Sequence, residues 1–121
     1  MANILLAEDD ESMLNFLVLA LERAGHNVTS TRNGLHALDV LNQDIEYDLL
    51  LTDIVMPGLD GIELAQKASE LSPNIKVMFI TGFAAMAMRG TEEKPKGTTK
   101  LLSKPFHLND LVEQIERILA A

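Results

Sequence analysis

The sequence contains no cysteine and no tryptophan, and aromatic residues account for only 4% of its 121 positions. Without cysteine, neither a disulfide framework nor a thiolate metal site can form. Basic residues are also scarce, since 10 Lys and Arg stand against 18 Asp and Glu, and the formal net charge is -8. Because a nucleic-acid partner requires a basic face opposite its phosphates, this balance argues against nucleic acid as a direct partner.

Long apolar runs are missing as well. The run at residues 16–21 is six residues long, far short of the roughly 18 that a membrane span requires. The amino terminus has no basic stretch ahead of an apolar segment, so no signal peptide is indicated. Apolar residues nevertheless make up 47% of the chain, enough for one domain that buries about two-thirds of its unfolded surface. We therefore expect a single folded domain over residues 1–121, soluble and cytoplasmic.

Short apolar runs alternate with segments of helical periodicity along the chain. The runs at 4–7, 28–31, 49–52, 75–80 and 101–102 predict strands, and the apolar spacing predicts helices over 13–24, 35–45, 64–71 and 108–119. Residues 84–89 could form a further short helix, and we interpret the polar stretch at 91–99 as a mobile loop. Alternating strands and helices indicate βαβ units, and therefore an α/β fold with a doubly wound parallel sheet covered on both faces.

Polar and charged side chains stand where the predicted strands end. Glu8 and Asp9 follow the first strand, Asp53 follows the third, Thr81 ends the fourth, and Lys104 follows the fifth. Because ligands of doubly wound sheets bind at the carboxyl ends of the strands, we expect these side chains to converge on one edge. A flavin phosphate is disfavoured there, since the loop after the first strand carries four acids instead of Ser, Thr or Gly.

This combination favours phosphoryl chemistry. Clustered carboxylates repel each other unless a cation neutralises them, and Mg²⁺ suits a site of carboxylates and waters. Asp53 has the position of a nucleophile that would form an aspartyl-phosphate. Lys104 would neutralise one phosphoryl oxygen, and Thr81 would donate a hydrogen bond to another.

Simpler interpretations exist for each residue alone. Asp10 and Glu11 are best explained as the acidic first turn of a helix, where the helix dipole favours negative charge. Thr81 could be an ordinary turn residue before a glycine, and Lys104 could be a surface lysine. His26 and His36 lie at surface-like helix or strand edges, and His107 lies near the start of the last predicted helix. None of the three has a paired ligand at metal spacing, and we assign them no function.

Four motifs occur in order along the whole chain, separated by 45, 28 and 23 residues. They are Glu8-Asp9, Asp53 with Met56-Pro57-x-x-Asp60-Gly61, Thr81-Gly82, and Lys104-Pro105-Phe106. Together they resemble the receiver domain of response regulators, the CheY-like family. The resemblance implies a flavodoxin-like fold in which a five-stranded sheet of order 2-1-3-4-5 is flanked by five helices.

The resemblance also implies the role of each site residue. Asp53 would accept a phosphoryl group from a phosphohistidine of a histidine kinase or a phosphotransferase. Mg²⁺ would be held by Asp9, Asp53 and the backbone carbonyl of Val55, and by Glu8 through a water molecule. Such a protein catalyses only its own phosphorylation and dephosphorylation. The phosphatases with an Asp-x-Asp nucleophile are excluded, because Val55 stands where their second acid would be.

In this family, phosphorylation draws the residue equivalent to Thr81 toward the phosphoryl group, and an aromatic residue on the fifth strand swings inward. Leu101 occupies the place of that aromatic residue, so we expect the signal to spread differently, without an effect on phosphorylation itself.

The output is predicted to be protein binding, because no output domain follows the last predicted helix. Longer runs around residues 53–57, 81–85, 102–108 and 119–121 resemble single-domain cell-cycle regulators that act, when unphosphorylated, as adaptors for the ClpXP protease. ClpX is then an expected partner, and Ala120 and Ala121 would form a degradation signal. The alternatives are a frayed helix end at these alanines and a chemotaxis-type or phosphorelay receiver that binds a motor or kinase or passes the phosphoryl group on.

Overall fold

The protein is an α/β sandwich of five strands and four described helices. The computed structural model describes residues 2–43, 45–81, 98–103 and 107–120, with the backbone alone at 81, 98–103 and 108. The strands are β1 (Asn3–Ala7), β2 (Asn27–Thr31), β3 (Leu49–Asp53), β4 (Lys76–Thr81) and β5 (Thr98–Ser103). The helices are α1 (Glu11–Arg23), α2 (Gly34–Leu41), α3 (Gly61–Leu71) and α4 (Leu108–Ala120). None of these four helices has the length and apolar character that crossing a bilayer requires.

All five strands are parallel, in the spatial order β2-β1-β3-β4-β5. This confirms the parallel sheet and its predicted strand order. The direction in which strands are added reverses between β1 and β3, and doubly wound sheets open a crevice at such a reversal. Glu8 and Asp53 stand at the carboxyl ends of these two strands.

The sheet is covered on both faces because its strands send alternate side chains to opposite sides. On one face, Leu5, Leu50 and Phe79 pack with the buried residues of α2 and α3. On the other face, Ile4, Leu51 and Ile80 pack with those of α1 and α4. Central strands of this kind are apolar on both sides, which is why β1, β3 and β4 were recognisable as continuous apolar runs.

Several predicted boundaries were wrong. The second helix was predicted to reach residue 45, but α2 ends at Leu41 with Asn42 as its C-cap. Ile45 remains half exposed, and Tyr47 in the same connection is buried in the core on the α2 and α3 side. The helix predicted at 64–71 begins earlier, at Gly61. The last strand, predicted at 101–102, extends from Thr98 to Ser103, so residues 98 and 99 of the predicted mobile loop belong to β5. The short helix predicted at 84–89 lies outside the described residues.

The surface position predicted for His26 was also wrong, because its side chain is buried. Its Nε2 atom lies 2.9 Å from Oε1 of Glu116 on α4, and its Nδ1 atom accepts a hydrogen bond from the backbone N–H of Ala2 at 3.3 Å. The exposed position predicted for His36 is confirmed.

Candidate functional site

Three carboxylates meet at the carboxyl edge of the sheet, as predicted. Glu8, Asp9 and Asp53 each present an oxygen atom within 4.8 Å of those of the other two. Glu8 is fully buried and Asp53 is 7% exposed, whereas Asp9 is exposed. The loop after β1 and the end of β3 therefore bring together residues that are 45 positions apart in the sequence.

Hydrogen bonds hold both the backbone and the side chain of Glu8. Its N–H donates to the carbonyl oxygen of Thr31 at 3.1 Å, which ties the end of β1 to the end of β2. Its Oε2 atom accepts a hydrogen bond from the N–H of Asp10 at 3.0 Å. The carboxylate is thus oriented by the turn that leads into α1.

The next two acids start the helix, as expected. Asp10 is the N-cap of α1, and its Oδ1 atom accepts a hydrogen bond from the N–H of Met13 at 3.0 Å. Glu11 lies in the first turn and pairs with Arg32 at 2.8 Å on the surface. Both acids thus have structural partners, on α1 and after β2, and neither belongs to the described group of Glu8, Asp9 and Asp53 that could hold a metal ion.

The backbone around Asp53 is fixed by the neighbouring strand and by α3. The Oγ1 atom of Thr52 donates to the carbonyl oxygen of Asp53 at 2.9 Å. The N–H of Ile54 donates a hydrogen bond to the carbonyl oxygen of Ile80 on β4 at 3.2 Å. The N–H of Gly61 donates one to the carbonyl oxygen of Ile54 at 2.8 Å. The acidic end of β3 is therefore clamped between β4 and the start of α3.

The loop after Asp53 is anchored by alternate residues. Ile54 and Met56 are buried in the core on the α2 and α3 side, while Val55 between them is exposed. Asp60 then caps α3, its Oδ1 atom accepting from the N–H of Glu63 at 2.9 Å. The Met56-Pro57-x-x-Asp60-Gly61 motif is thus a short anchored loop that ends in a helix cap.

The arrangement of the three acids fits a hard divalent cation. In octahedral Mg²⁺ coordination, neighbouring ligand oxygens lie about 2.9 Å apart and opposite ones about 4.2 Å apart, given metal–oxygen distances of about 2.1 Å. The carboxylate oxygens of Glu8, Asp9 and Asp53 lie within 4.8 Å of one another, so small side-chain adjustments would bring them to these distances. Two of these carboxylates are buried, and a cation would offset both their mutual repulsion and their loss of hydration.

Other predicted site residues are placed only in part. Thr81 ends β4, one residue beyond Ile80, which pairs with Asp53 in the sheet register. Leu101 lies in β5 and pairs with Phe79. Lys104 and Ala121 lie outside the described residues, and Ala120 is the exposed last residue of α4. The backbone thus brings Thr81 next to the acidic group, as the strand-end rule predicted.

Gly61 is a positioning residue to which the motif analysis gave no role. A Cβ atom there would overlap the carbonyl oxygen of Asp53 and would come within 2.9 Å of both the carbonyl carbon of Asp53 and the Cα atom of Ile54. The only signal in the sequence was the Asp-Gly pair at the start of a predicted helix. Because only glycine leaves this space, the start of α3 can pack directly on the backbone of Asp53.

Residues 4–116 match the family model of the response regulator receiver domain. The response regulator receiver protein CpdR of Brucella abortus (strain 2308) is 55% identical over 121 residues, which cover 100% of this chain and 99% of CpdR. The sensor kinase CckA of the same strain is 31% identical over 98% of this chain, which spans only 12% of that kinase.

Solved structures agree with these sequence matches. The crystal structure of a response regulator receiver protein from Sinorhizobium medicae WSM419 superposes with a TM-score of 0.86 and 30% identity. The match covers 99% of this chain and 95% of that one. The fold, the acidic edge and the sequence matches agree, and the chain belongs to the response regulator receiver domain family.

Proposed function

We propose that this protein is a response regulator whose Asp53 accepts a phosphoryl group from a phosphohistidine. The observation that carries the proposal is the acidic group itself, in which Asp53 lies at the end of β3 with oxygens of Glu8 and Asp9 within 4.8 Å. Membership in the receiver family implies a histidine kinase as the partner upstream. A phosphotransferase that carries the same phosphohistidine chemistry would serve equally.

Asp9 and Asp53 would hold Mg²⁺ directly, together with the backbone carbonyl of Val55, and Glu8 would contribute through a water molecule. The burial of Glu8 and its hydrogen bond from Asp10 support an oriented outer ligand of this kind. Asp9 is exposed and lies at the open side of the group, where an ion would enter. Bound Mg²⁺ would offset the negative charge of the carboxylate and of the incoming phosphoryl group.

In the reaction, an oxygen of Asp53 attacks the phosphorus atom, the P–N bond of the phosphohistidine breaks, and the imidazole nitrogen keeps the electron pair. The hydrogen bonds that the backbone of Ile54, the residue after Asp53, makes with Ile80 and Gly61 would hold the attacking carboxylate in place. Such positioning accounts for much of the catalysis in phosphoryl transfer. Lys104 would neutralise a phosphoryl oxygen, and Thr81 would donate a hydrogen bond to another.

The new charge-assisted hydrogen bonds would shift the receiver between two conformations. Movement of Thr81 toward the phosphoryl group would transmit the conformational change to β5, where Leu101 replaces the usual aromatic switch residue. Because Leu101 has no part in the chemistry, phosphorylation should proceed normally while the response of the surface differs.

For the output, we favour a phosphorylation-gated adaptor for the ClpXP protease, located in the cytoplasm. The support is the resemblance to single-domain cell-cycle regulators and the similarity to CpdR over 99% of that protein's length. In this role the receiver would catalyse nothing beyond its own phosphorylation and dephosphorylation. Ala120 and Ala121 would then expose a degradation signal at the end of α4.

The second candidate is a phosphorelay receiver that passes the phosphoryl group on, or a chemotaxis-type receiver that binds a motor or kinase. The similarity to the sensor kinase CckA, which spans only the receiver-sized part of that protein, is the observation that favours a relay. Replacement of the last two residues distinguishes the two candidate functions. An adaptor that is itself degraded should persist when Ala120 and Ala121 are replaced by Asp, and a relay should be unaffected.

The test is binding of the purified protein to ClpX, with and without Mg²⁺ and a small phosphodonor. We expect binding that is lost on phosphorylation and is retained by Asp53→Ala under both conditions. Absence of binding in either state would contradict the adaptor and leave the relay as the better account.

A further inference from the structure

A groove lies at the amino edge of the sheet, away from the acidic group. Its walls come from the segments that precede β3 and β4 and from the last turns of α4, and its volume is about 920 Å³. The strand β3, which ends at Asp53, rises roughly 16 Å over its five residues. The groove is therefore separated from Asp53 by about the height of the sheet.

Apolar side chains form much of this groove. Tyr47 and Ile75 are buried at its base, and Ile45 and Leu71 remain 51% and 47% exposed on its walls. Leu71 is the last residue of α3, and Ile45 belongs to the connection between α2 and β3. Two large apolar side chains that stay exposed beside an apolar base form a surface on which a partner could bury further apolar area.

The charges around the groove are mainly negative. Glu46, Asp48 and Glu116 stand against one ammonium group, that of Lys76. The Nζ atom of Lys76 donates to the carbonyl oxygen of Ile118 at 2.6 Å, so this cation is directed to the end of α4. His26 contacts Glu116, and the Oδ2 atom of Asp48 accepts from the N–H of Asn3 at 2.8 Å.

We propose that this groove binds an extended segment of a partner protein in which basic side chains adjoin bulky apolar ones. The apolar side chain would lie between Ile45 and Leu71, and the basic side chains would face Glu46 and Asp48. The acidic side chains of the groove favour a positively charged segment, and its apolar side chains provide the surface that the bound segment buries. Because the groove lies at the opposite edge from Asp53, binding there leaves the phosphoacceptor accessible.

The test uses the ¹⁵N-labelled full chain with Mg²⁺ present, so that the acidic edge is occupied. The probe is a short amidated peptide that alternates arginine and leucine, and its control replaces each arginine by glutamate. We expect the arginine peptide to shift the backbone amide signals of residues 45–48, 71, 72 and 74–76, and the glutamate peptide to leave them unchanged. No shift, or shifts confined to residues 8–11 and 53–56, would overturn the proposal.

Matched variants locate the site. Ile45→Asn combined with Leu71→Asn removes apolar area without changing the charge and should weaken binding of the arginine peptide by about tenfold or more, and Glu46→Lys should weaken it by about threefold. The control is Leu19→Asn, which changes a residue that is similarly exposed on α1 and outside the groove and should bind as the native chain does. Equal loss in Leu19→Asn would contradict the assignment. Self-association of the native chain that is lost in the double variant would also contradict it, because a second copy of the chain would then occupy the groove.

Discussion

Replacement of Gly61 by alanine tests whether the clamp on Asp53 matters for its chemistry. The added Cβ atom would overlap the carbonyl oxygen of Asp53 and would lie 2.9 Å from the Cα atom of Ile54. Nonbonded carbon atoms pack at about 3.5–4.0 Å, so α3 or the end of β3 must move by roughly 1 Å. The movement would also strain the hydrogen bond from the N–H of Gly61 to the carbonyl oxygen of Ile54.

The structural cost is moderate and the functional cost is larger. Overpacking costs about 1–3 kcal/mol, partly offset by the better helix propensity of alanine, about 1 kcal/mol. We therefore expect the free energy of unfolding of Gly61→Ala to fall by at most about 2 kcal/mol. A misplacement of about 1 Å at a reacting group can cost about 100-fold in rate, so phosphorylation of Asp53 should slow by about tenfold to 100-fold.

The free energy of unfolding is measured by urea denaturation, and the phosphorylation rate by mass spectrometry with a small phosphodonor and Mg²⁺. The matched control is Gly58→Ala in the same loop. Gly58 has a φ of 77°, but among the described residues an added Cβ would meet only Leu35, at 3.7 Å. It should lose about 1–2 kcal/mol from backbone strain and keep a nearly native phosphorylation rate. A native rate in Gly61→Ala, or equal slowing in Gly58→Ala, would refute the reasoning.

Three further substitutions test other parts of the account. Asp9→Asn removes a proposed ionised ligand and should weaken Mg²⁺ binding by about tenfold or more, measured by calorimetry; unchanged affinity would contradict the ligand assignment. Asp10→Ala removes the hydrogen bond to the N–H of Met13 and should cost about 1 kcal/mol of stability in urea without changing Mg²⁺ affinity; a loss of affinity would mean that Asp10 belongs to the site. Lys76→Met removes the hydrogen bond to the carbonyl oxygen of Ile118 and should cost about 1 kcal/mol. Amide hydrogen exchange should then rise in the last turn of α4, and unchanged exchange would show that this contact does not hold the helix end.

Much of the fold was predictable because central parallel strands carry a strong local signal. β1 and β3 are apolar on both faces and end abruptly at acids, so both the strands and the convergence of Glu8, Asp9 and Asp53 followed from the sequence. The strand order came from the family resemblance and not from periodicity, which cannot tell which strands are neighbours.

The predictions failed where contacts with residues distant in the sequence determine whether a side chain is buried or a helix ends. Ile45 fits the spacing of α2 but remains half exposed, whereas Tyr47 is buried in the core, and no local pattern distinguishes the two. His26 is buried by contacts with Ala2 and with Glu116, which is 90 positions away. The role of Gly61 depends on its distance to the backbone of Asp53, which only the folded chain reveals. The roles of Lys104 and Thr81 stay predictions.

The most direct test of the central claim is the intact mass of the protein after incubation with a small phosphodonor and Mg²⁺. The native chain should gain the mass of one phosphoryl group, and chelation of Mg²⁺ should abolish the gain. Asp53→Ala should gain none, while Asp48→Ala, which removes a carboxylate at the opposite edge of the sheet, should be labelled as the native chain is. Stoichiometric labelling of Asp53→Ala would contradict the assignment of Asp53 as the phosphoacceptor.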